Sequence, residues 1–273
     1  YRGSDLVVCP AFDRKLNETA CISCGQCAAA CPTGAITIYN EIGRAWRALH
    51  DAKKRVVVQI APAVRVAVGE AFGMAPGVNA MNKLVSALKM MGAAEVYDTT
   101  FGADLTVMEE SAEFLERLQK GGPFPMFTSC CPAWIKYLEN EDPKYLKNVS
   151  TCKSPMEMFA AVLKDQYKEK DAQDGRRTYH VAIMPCTAKK YEVLREEQRL
   201  PNGCMPVDVS LTTRELGRMI TQAGLLFEHL PDGAFDPMLG VSTGAAAIFG
   251  ASGGVMEAAL RTVGEQLPGE GMA

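Results

Sequence analysis

The sequence predicts an α/β fold with mostly parallel sheets flanked by helices, and three observations support this. Short apolar runs alternate with longer helical patterns along most of the chain. The run R-V-V-V-Q-I at residues 55–60 is almost wholly apolar, which suits a strand buried on both faces of a parallel sheet. Two unusual cysteine segments follow predicted strands, and ligands bind at the carboxyl edge of open parallel sheets.

The individual elements are justified by apolar spacing and by residues that begin or end helices. Residues 40–53 place apolar side chains on one helix face. Helices at 79–91 and 104–120 each end at glycine, and a helix at 154–170 begins with serine and proline. The other predicted elements are strands at 55–60, 95–99, 125–129, 180–184 and 207–211, a helix at 213–223, a Gly- and Ala-rich stretch at 240–254 and a helix at 255–266.

Composition is that of an ordinary soluble protein. The 273 residues are 48% hydrophobic and 22% charged, with a formal net charge of -3, so no basic excess indicates nucleic-acid binding. No apolar stretch reaches the ~20 residues that a membrane-spanning helix needs. No charged-then-apolar leader opens the sequence, so we expect a cytoplasmic protein, with a periplasmic location left open.

Four cysteines within residues 21–31 follow the spacing C-x2-C-x2-C-x3-C-P, which is typical of bacterial ferredoxins. Zinc or a disulfide is the alternative, but zinc sites usually pair CxxC motifs across a wide gap. We therefore predict a partial, ferredoxin-like 4Fe–4S segment at residues 1–45. Either the fourth cysteine or Cys9 would close a single cluster, and we favour Cys9 as a bystander. The predicted ligands are Cys21, Cys24, Cys27 and Cys31.

Two further cysteine segments indicate a second metal site in a catalytic domain at residues 46–273. They are T-S-C-C-P-A-W at 128–134 and M-P-C-T-A-K-K-Y-E at 184–192. Adjacent side chains in extended backbone point opposite ways, so one of Cys130 and Cys131 can bind metal while the other faces a different partner. Two buried structural thiols or a vicinal disulfide is the alternative, and the pairing with Cys186 favours metal.

Charged residues near these segments have candidate roles in proton transfer. Glu110, Glu113 and Arg117 share one helix face. A solvated charged face is the alternative, but apolar residues surround this one, and buried carboxyls can relay protons. Lys189 follows Cys186 by one helical step and could hydrogen-bond an anionic metal ligand; a surface lysine is the alternative.

At these residues the sequence resembles the catalytic, H-cluster domain of the [FeFe]-hydrogenase large subunit. The two cysteine segments are similar to two of the family's three signature segments. The third signature segment and the upstream ferredoxin half-motif are absent, so the sequence resembles a fragment open at both ends or one subunit of a split enzyme. Further similar segments lie at residues 21–36, 61–65, 150–155, 212–216 and 250–261.

The resemblance implies two lobes around a buried metal site that holds the H-cluster. This cofactor is a 4Fe–4S cubane joined by a cysteine to a two-iron unit with CO, CN⁻ and an amine-containing dithiolate bridge. The implied roles are cubane ligation by Cys131 and Cys186; proton shuttling by Cys130; a proton path through Glu110, Ser150, Glu113 and Arg117; cyanide binding by Lys189 and by backbone around Ala61 and Pro62; and pocket packing by Met184 and Phe249.

The implied function is the reversible reduction of protons to H₂. A ferredoxin or another electron carrier would deliver electrons through the cluster at residues 21–31, and other hydrogenase subunits could take part. Two alternatives remain: a hydrogenase-like, non-catalytic iron–sulfur assembly protein and an H₂-sensing hydrogenase. The combination of Cys130 with Glu110, Ser150 and Glu113 argues against the assembly protein, because such a protein would not need a complete proton path.

Overall fold

A computed structural model describes residues 10–237, 240 and 242–266, so Cys9 lies outside the described residues. The predicted α/β class is confirmed. Within the described part of the chain, one sheet of four parallel strands has the order β2-β1-β3-β4. The strands are β1 (Lys54–Ile60), β2 (Glu95–Asp98), β3 (Arg177–Met184) and β4 (Val209–Thr212).

Helices of very different lengths connect and cover these strands. The α-helices are α1 (Gln26–Ala30), α2 (Ile42–Leu49), α3 (Val64–Ala67), α4 (Met81–Met90), α5 (Thr100–Lys120), α6 (Pro132–Glu141), α7 (Pro155–Gln166), α8 (Lys168–Asp174), α9 (Lys189–Glu192), α10 (Thr213–Gln222), α11 (Gly244–Ile248) and α12 (Gly254–Gln266). Short 3₁₀ helices lie at Ala11–Asp13, Leu16–Glu18, Gly69–Phe72, Pro143–Asn148, Glu196–Gln198 and Phe227–His229. No helix in the described ranges is both long and apolar enough to cross a bilayer.

Both faces of the sheet are covered by helices, which explains why β1 is mostly apolar. On one face, Val57 packs in a cluster with Phe159 and Leu163 of α7. On the other face, Val56 and Val58 join a larger core that includes residues of α2, α4 and α10. Because both faces are buried, nearly every side chain of β1 contacts core rather than water.

Several predicted elements differ from the structure in extent or type. The predicted strand at 125–129 is wrong, because this segment makes one parallel bridge, Phe127 to Val149, and joins no sheet. Pro125 within the segment, and Pro123 and Pro132 beside it, lack the amide that a ladder requires. The helix predicted at 154–170 is two helices, α7 and α8. Helix α5 begins at residue 100, the Gly- and Ala-rich stretch contains α11, and α2 lies across the predicted boundary between 45 and 46.

Helices α5 and α7 cross closely at Gly102. A Cβ added there would lie 2.3 Å from the Pro155 carbonyl oxygen and 2.9 Å from Phe159 Cβ. We expect Gly102→Ala to lower the free energy of unfolding by about 1–3 kcal/mol, because neither neighbour can move freely. Urea denaturation measures this. Gly43→Ala in α2, whose nearest such contact is 3.6 Å from Arg47, is the control and should be neutral or stabilising. Equal stabilities for the two variants would contradict the close crossing.

Candidate metal and proton-transfer site

The adjacent cysteines have different surroundings, as their alternating geometry predicts. Cys131 is exposed and is the N-cap residue of α6, in extended backbone ahead of Pro132. Cys130 is partly buried, and burial raises the pKa of its thiol to about 11, although the nearby Lys189 ammonium acts in the opposite direction. The Cys130 thiol is therefore protonated at neutral pH, while Cys131 faces outward.

A lysine connects the two cysteine segments. Cys186 follows the end of β3, and the next turn leads into α9. The Lys189 ammonium donates to the Cys130 carbonyl oxygen at 2.9 Å and to Glu192 at 2.7 Å. The segments that contain Cys131 and Cys186, distant in sequence, therefore meet at one end of the sheet.

Glu113 is the centre of a hydrogen-bond network on α5. One of its oxygens accepts from the Ser150 hydroxyl at 2.9 Å and from the Thr151 amide at 2.9 Å, and the other is paired with Arg117. Burial raises the pKa of this carboxyl, but these donors outweigh it and hold the pKa below its ordinary value. Arg117 also donates to the Asn148 carbonyl at 3.0 Å, which fixes the network against the segment that precedes Ser150.

Glu110 lies one helical turn before Glu113 and is almost completely buried, at 1% exposure. Neither carboxyl oxygen has a hydrogen-bond partner among the described residues. Burial raises its pKa to about 7, the nearby Ser150 hydroxyl and Ser129 amide lower it in part, and Glu113 raises it. The charge of Glu110 also raises the pKa of the Cys130 thiol. It can therefore gain and lose a proton near neutral pH between Cys130 and the Glu113 network.

The remaining predicted pocket residues differ in burial and in the hydrogen bonding of their backbone amides. Met184 is buried at the end of β3. The Ala61 amide is already engaged by the Ile183 carbonyl at 3.0 Å, and Pro62 has no N–H to offer. In this turn the Ala63 amide has no partner among the described residues, so it is the donor that the turn presents. Phe249 is half-buried at the end of α11.

The first cysteine run forms an open loop around α1. Two residues there, Ser23 and Gly25, have left-handed backbone, with φ of 61° and 78°. The Ser23 amide donates to the Cys21 sulfur at 3.5 Å. The Thr33 hydroxyl and nearby amides lower the pKa of the Cys31 thiol to about 7. The four thiols of this run fit a 4Fe–4S cluster by donor type, although no three potential ligands are gathered in metal-binding geometry among the described residues.

The loop of the first cysteine run packs directly against the segment of Cys186. The Thr187 hydroxyl donates to the Ser23 carbonyl oxygen at 2.8 Å. A Cβ on Gly25 would lie 2.9 Å from the Thr187 hydroxyl oxygen. The two predicted cofactor sites are therefore neighbours, joined through the residue that follows Cys186.

We expect Gly25→Ala to loosen this contact and to lower the iron and sulfide content of the first cluster. Its left-handed backbone disfavours a side chain, and the added methyl group would collide with Thr187. Iron and acid-labile sulfide per chain measure the effect. Gly34→Ala is a matched control, because Gly34 has a similar φ of +67° and nothing within 4 Å of the added carbon. Equal losses in the two variants would show that backbone strain alone matters.

Comparison with known proteins places the chain in a family. Residues 54–273 match the family described as "Iron only hydrogenase large subunit, C-terminal domain", and residues 14–37 match a 4Fe–4S binding domain. The NADP-reducing hydrogenase subunit HndD of Solidesulfovibrio fructosivorans is 47% identical over 98% of this chain and 47% of its own length. The periplasmic [Fe] hydrogenase large subunit of Nitratidesulfovibrio vulgaris is 48% identical over 94% of this chain and 69% of its own.

Solved structures are similar in fold. The apo [FeFe]-hydrogenase HydA1 from Chlamydomonas reinhardtii superposes with a TM-score of 0.73 at 41% identity, over 86% of this chain and 61% of that one. The chain belongs to the iron-only hydrogenase large-subunit family. It spans about half the length of HndD. The cofactors that this membership assigns are a 4Fe–4S cluster and the H-cluster.

The residues fit the H-cluster in their donor chemistry. The site offers two thiols, at Cys131 and Cys186, on segments that Lys189 holds together. It also offers an unengaged amide at Ala63 and a protonated thiol at Cys130.

Some functional candidates escaped the sequence analysis. Glu192 lies three residues after Lys189, and the helical i, i+3 rule could have found this pair. Thr151, which donates to Glu113 through both its amide and its hydroxyl, has no sequence signal. The same is true of Glu157, whose burial becomes visible only in the folded chain.

Proposed function

We propose that this chain is the catalytic part of an [FeFe]-hydrogenase, which catalyses 2H⁺ + 2e⁻ ⇌ H₂. In this proposal Cys131 and Cys186 ligate the cubane of the H-cluster, and Lys189 and the Ala63 amide bind its cyanides. When bound, the H-cluster supplies the redox-active iron at which protons and electrons combine. The observation that carries the proposal is the series of titratable groups that leads from the surface to Cys130.

The proposed proton path runs through side chains that differ in protonation state at neutral pH. Glu113, at the outer end, is held ionised by Arg117 and by its donors, so it can receive a proton from water. The Ser150 hydroxyl connects Glu113 to the neighbourhood of Glu110, whose pKa near 7 suits uptake and release. The Cys130 thiol, protonated at rest, is the donor to the cofactor pocket.

Electrons would reach the pocket through the first cysteine run. The contact between Ser23 and Thr187 keeps the two cofactor sites adjacent, which favours transfer between them. The exposed Cys24 and Cys27 face outward, where a ferredoxin or another carrier could approach. We propose the cytoplasm as the location, since it keeps such thiols reduced.

A non-catalytic role in iron–sulfur assembly is the second candidate. The observation that favours it is a relative named cytosolic iron-sulfur assembly component 3, from Bos taurus, which is 27% identical over 93% of this chain. The proton path argues for catalysis, since an assembly role requires no buried carboxyl with a pKa near 7 beside a protonated thiol. An H₂ sensor would retain the proton path, so only its slower turnover would distinguish it from a catalyst.

Infrared spectroscopy of the full-length natural protein after cofactor maturation tests the proposal. We expect bands of iron-bound CO and CN⁻, together with steady-state H₂ production from a reduced carrier. A matured protein with iron–sulfur absorption but without these bands would support the assembly role instead. Bands with only trace H₂ production would indicate the sensor.

A further inference from the structure

A second buried carboxyl, unused by the proton path, lies near Lys189. Glu157 in the first turn of α7 is completely buried, at 0% exposure, and neither of its oxygens has a hydrogen-bond partner among the described residues. Leaving such a group unpaired costs free energy, so its burial requires a physical reason. Glu157 therefore differs from glutamates whose carboxyl groups contact water.

Helix capping does not supply that reason. Ser154 is the N-cap residue of α7 and Glu157 is the N3 residue, which is the spacing of a capping box. The Ser154 side chain nevertheless makes no capping hydrogen bond, and its hydroxyl is itself buried without a partner among the described residues. The Glu157 carboxyl does not reach back to the start of the helix. It acts electrostatically instead with Lys189 and Glu192 of α9.

The charged groups around Glu157 come from both of these helices and from the segment before α7. Burial, together with the negative charge of Glu192, raises the pKa of Glu157 to about 8. Three lysines lower this pKa: Lys189 of α9, Lys153 before α7 and Lys164 on α7. Lys164 is already paired with Asp208 at 2.7 Å, and Lys153 donates to the Gln198 carbonyl at 2.6 Å.

We propose that Glu157 is a positioning residue for Lys189, held as a neutral acid so that the ammonium group has a single carboxylate partner, Glu192. The inference rests on the proposed function, because it concerns the lysine that would bind a cyanide. With Glu157 neutral, the buried set of Glu157, Lys189 and Glu192 carries no net charge. Ionisation of Glu157 would give it a charge of −1 and draw the ammonium away from an anionic ligand.

The first experiment uses the protein without its H-cluster. We expect difference infrared spectra across a pH titration to contain the C=O stretch of a protonated buried carboxyl that disappears with a midpoint near pH 8. Glu157→Gln should remove this band, and Glu169→Gln, an exposed site on α8, should leave it unchanged. Glu192→Gln should shift the midpoint to lower pH, because it removes the negative charge that raises the pKa of Glu157. Glu110 should give a separate band with a midpoint near pH 7 in every variant. A component near pH 8 that persists in Glu157→Gln, or a midpoint near pH 8 that does not change in Glu192→Gln, would overturn the proposal.

The second experiment tests the connection to Lys189 in matured protein. We expect the bands of iron-bound CN⁻ to shift with pH around 8 in the parent protein and to be independent of pH over this range in Glu157→Gln. Identical pH profiles in the two proteins would overturn the positioning role, even if Glu157 is protonated. The absence of any CN⁻ band from the matured parent would instead reject the proposed function, while the first experiment would still report on Glu157.

The unfolding equilibrium gives a further check if maturation of the variant fails. A carboxyl with a raised folded-state pKa destabilises the fold as pH rises from about 4.5 towards about 8. Its removal should reduce the pH dependence of the unfolding constant by up to tenfold per pH unit in this window. A variant with unchanged pH dependence would show that Glu157 is ionised in the fold, against the proposal.

Discussion

Replacement of Cys130 by alanine is expected to abolish H₂ turnover while the iron content of the matured protein stays unchanged. The thiol is buried and protonated at neutral pH, so it can donate a proton but is a poor metal ligand in that state. A positioned acid contributes typically ~10²–10⁴-fold to a rate, so we expect a loss of at least ~100-fold. Steady-state H₂ production and iron per chain are the two measurements.

Two other variants separate the proton-transfer role of Cys130 from a ligand role. Cys131→Ala should lose iron, because the exposed Cys131 at the start of α6 is the proposed cubane ligand. Cys130→Ser should keep iron and remain slow, since a hydroxyl releases its proton much less readily than a thiol. Loss of iron from Cys130→Ala equal to that from Cys131→Ala would make Cys130 a ligand and remove the inner end of the proposed path.

Sequence periodicity was enough to predict the sheet, because its strands are buried on both faces. The run at residues 55–60 is apolar for that reason, and it is the strand β1 in the structure, together with Lys54. The segment at 125–129 begins with three apolar residues but pairs only through Phe127. Apolar patterning reports burial, and this segment is partly buried without any sheet neighbour. Only Pro125 and the prolines on either side of the segment argued against a strand.

The candidate site could be predicted where chemistry depends on residue type and local spacing. The helix face with Glu110, Glu113 and Arg117 follows from the repeat of an α-helix, and the structure has all three on α5. The contact of Thr187 with Ser23 joins residues 164 positions apart, and no local rule predicts it. The burial of Glu157 depends in the same way on the packing around the first turn of α7, which only the folded chain defines.

Glu110→Gln is expected to slow H₂ turnover by ~10²-fold or more without loss of iron or of folding. Glutamine matches the carboxylate in shape but cannot pass a proton between Ser150 and Cys130. Glu109→Gln, a change at the exposed neighbour, is the matched control and should retain full activity. A normal rate in Glu110→Gln would mean that protons reach Cys130 by another route.

The stability of the same variant should depend on pH in a way that identifies Glu110 as a buried acid. Its folded-state pKa of about 7 exceeds the ordinary value of 4.5, so the folded protein binds a proton that the unfolded chain releases in this window. The free energy of unfolding of the parent should therefore fall by up to about 1.4 kcal/mol per pH unit, through this group, as pH rises from about 4.5 to about 7. Glu110→Gln should reduce that slope and leave the contribution of Glu157, whereas Glu113, with its lowered pKa, acts only at lower pH. Denaturant titrations at several pH values measure the difference. Parallel slopes in the parent and in Glu110→Gln would show that Glu110 is ionised in the folded protein and cannot donate near neutral pH.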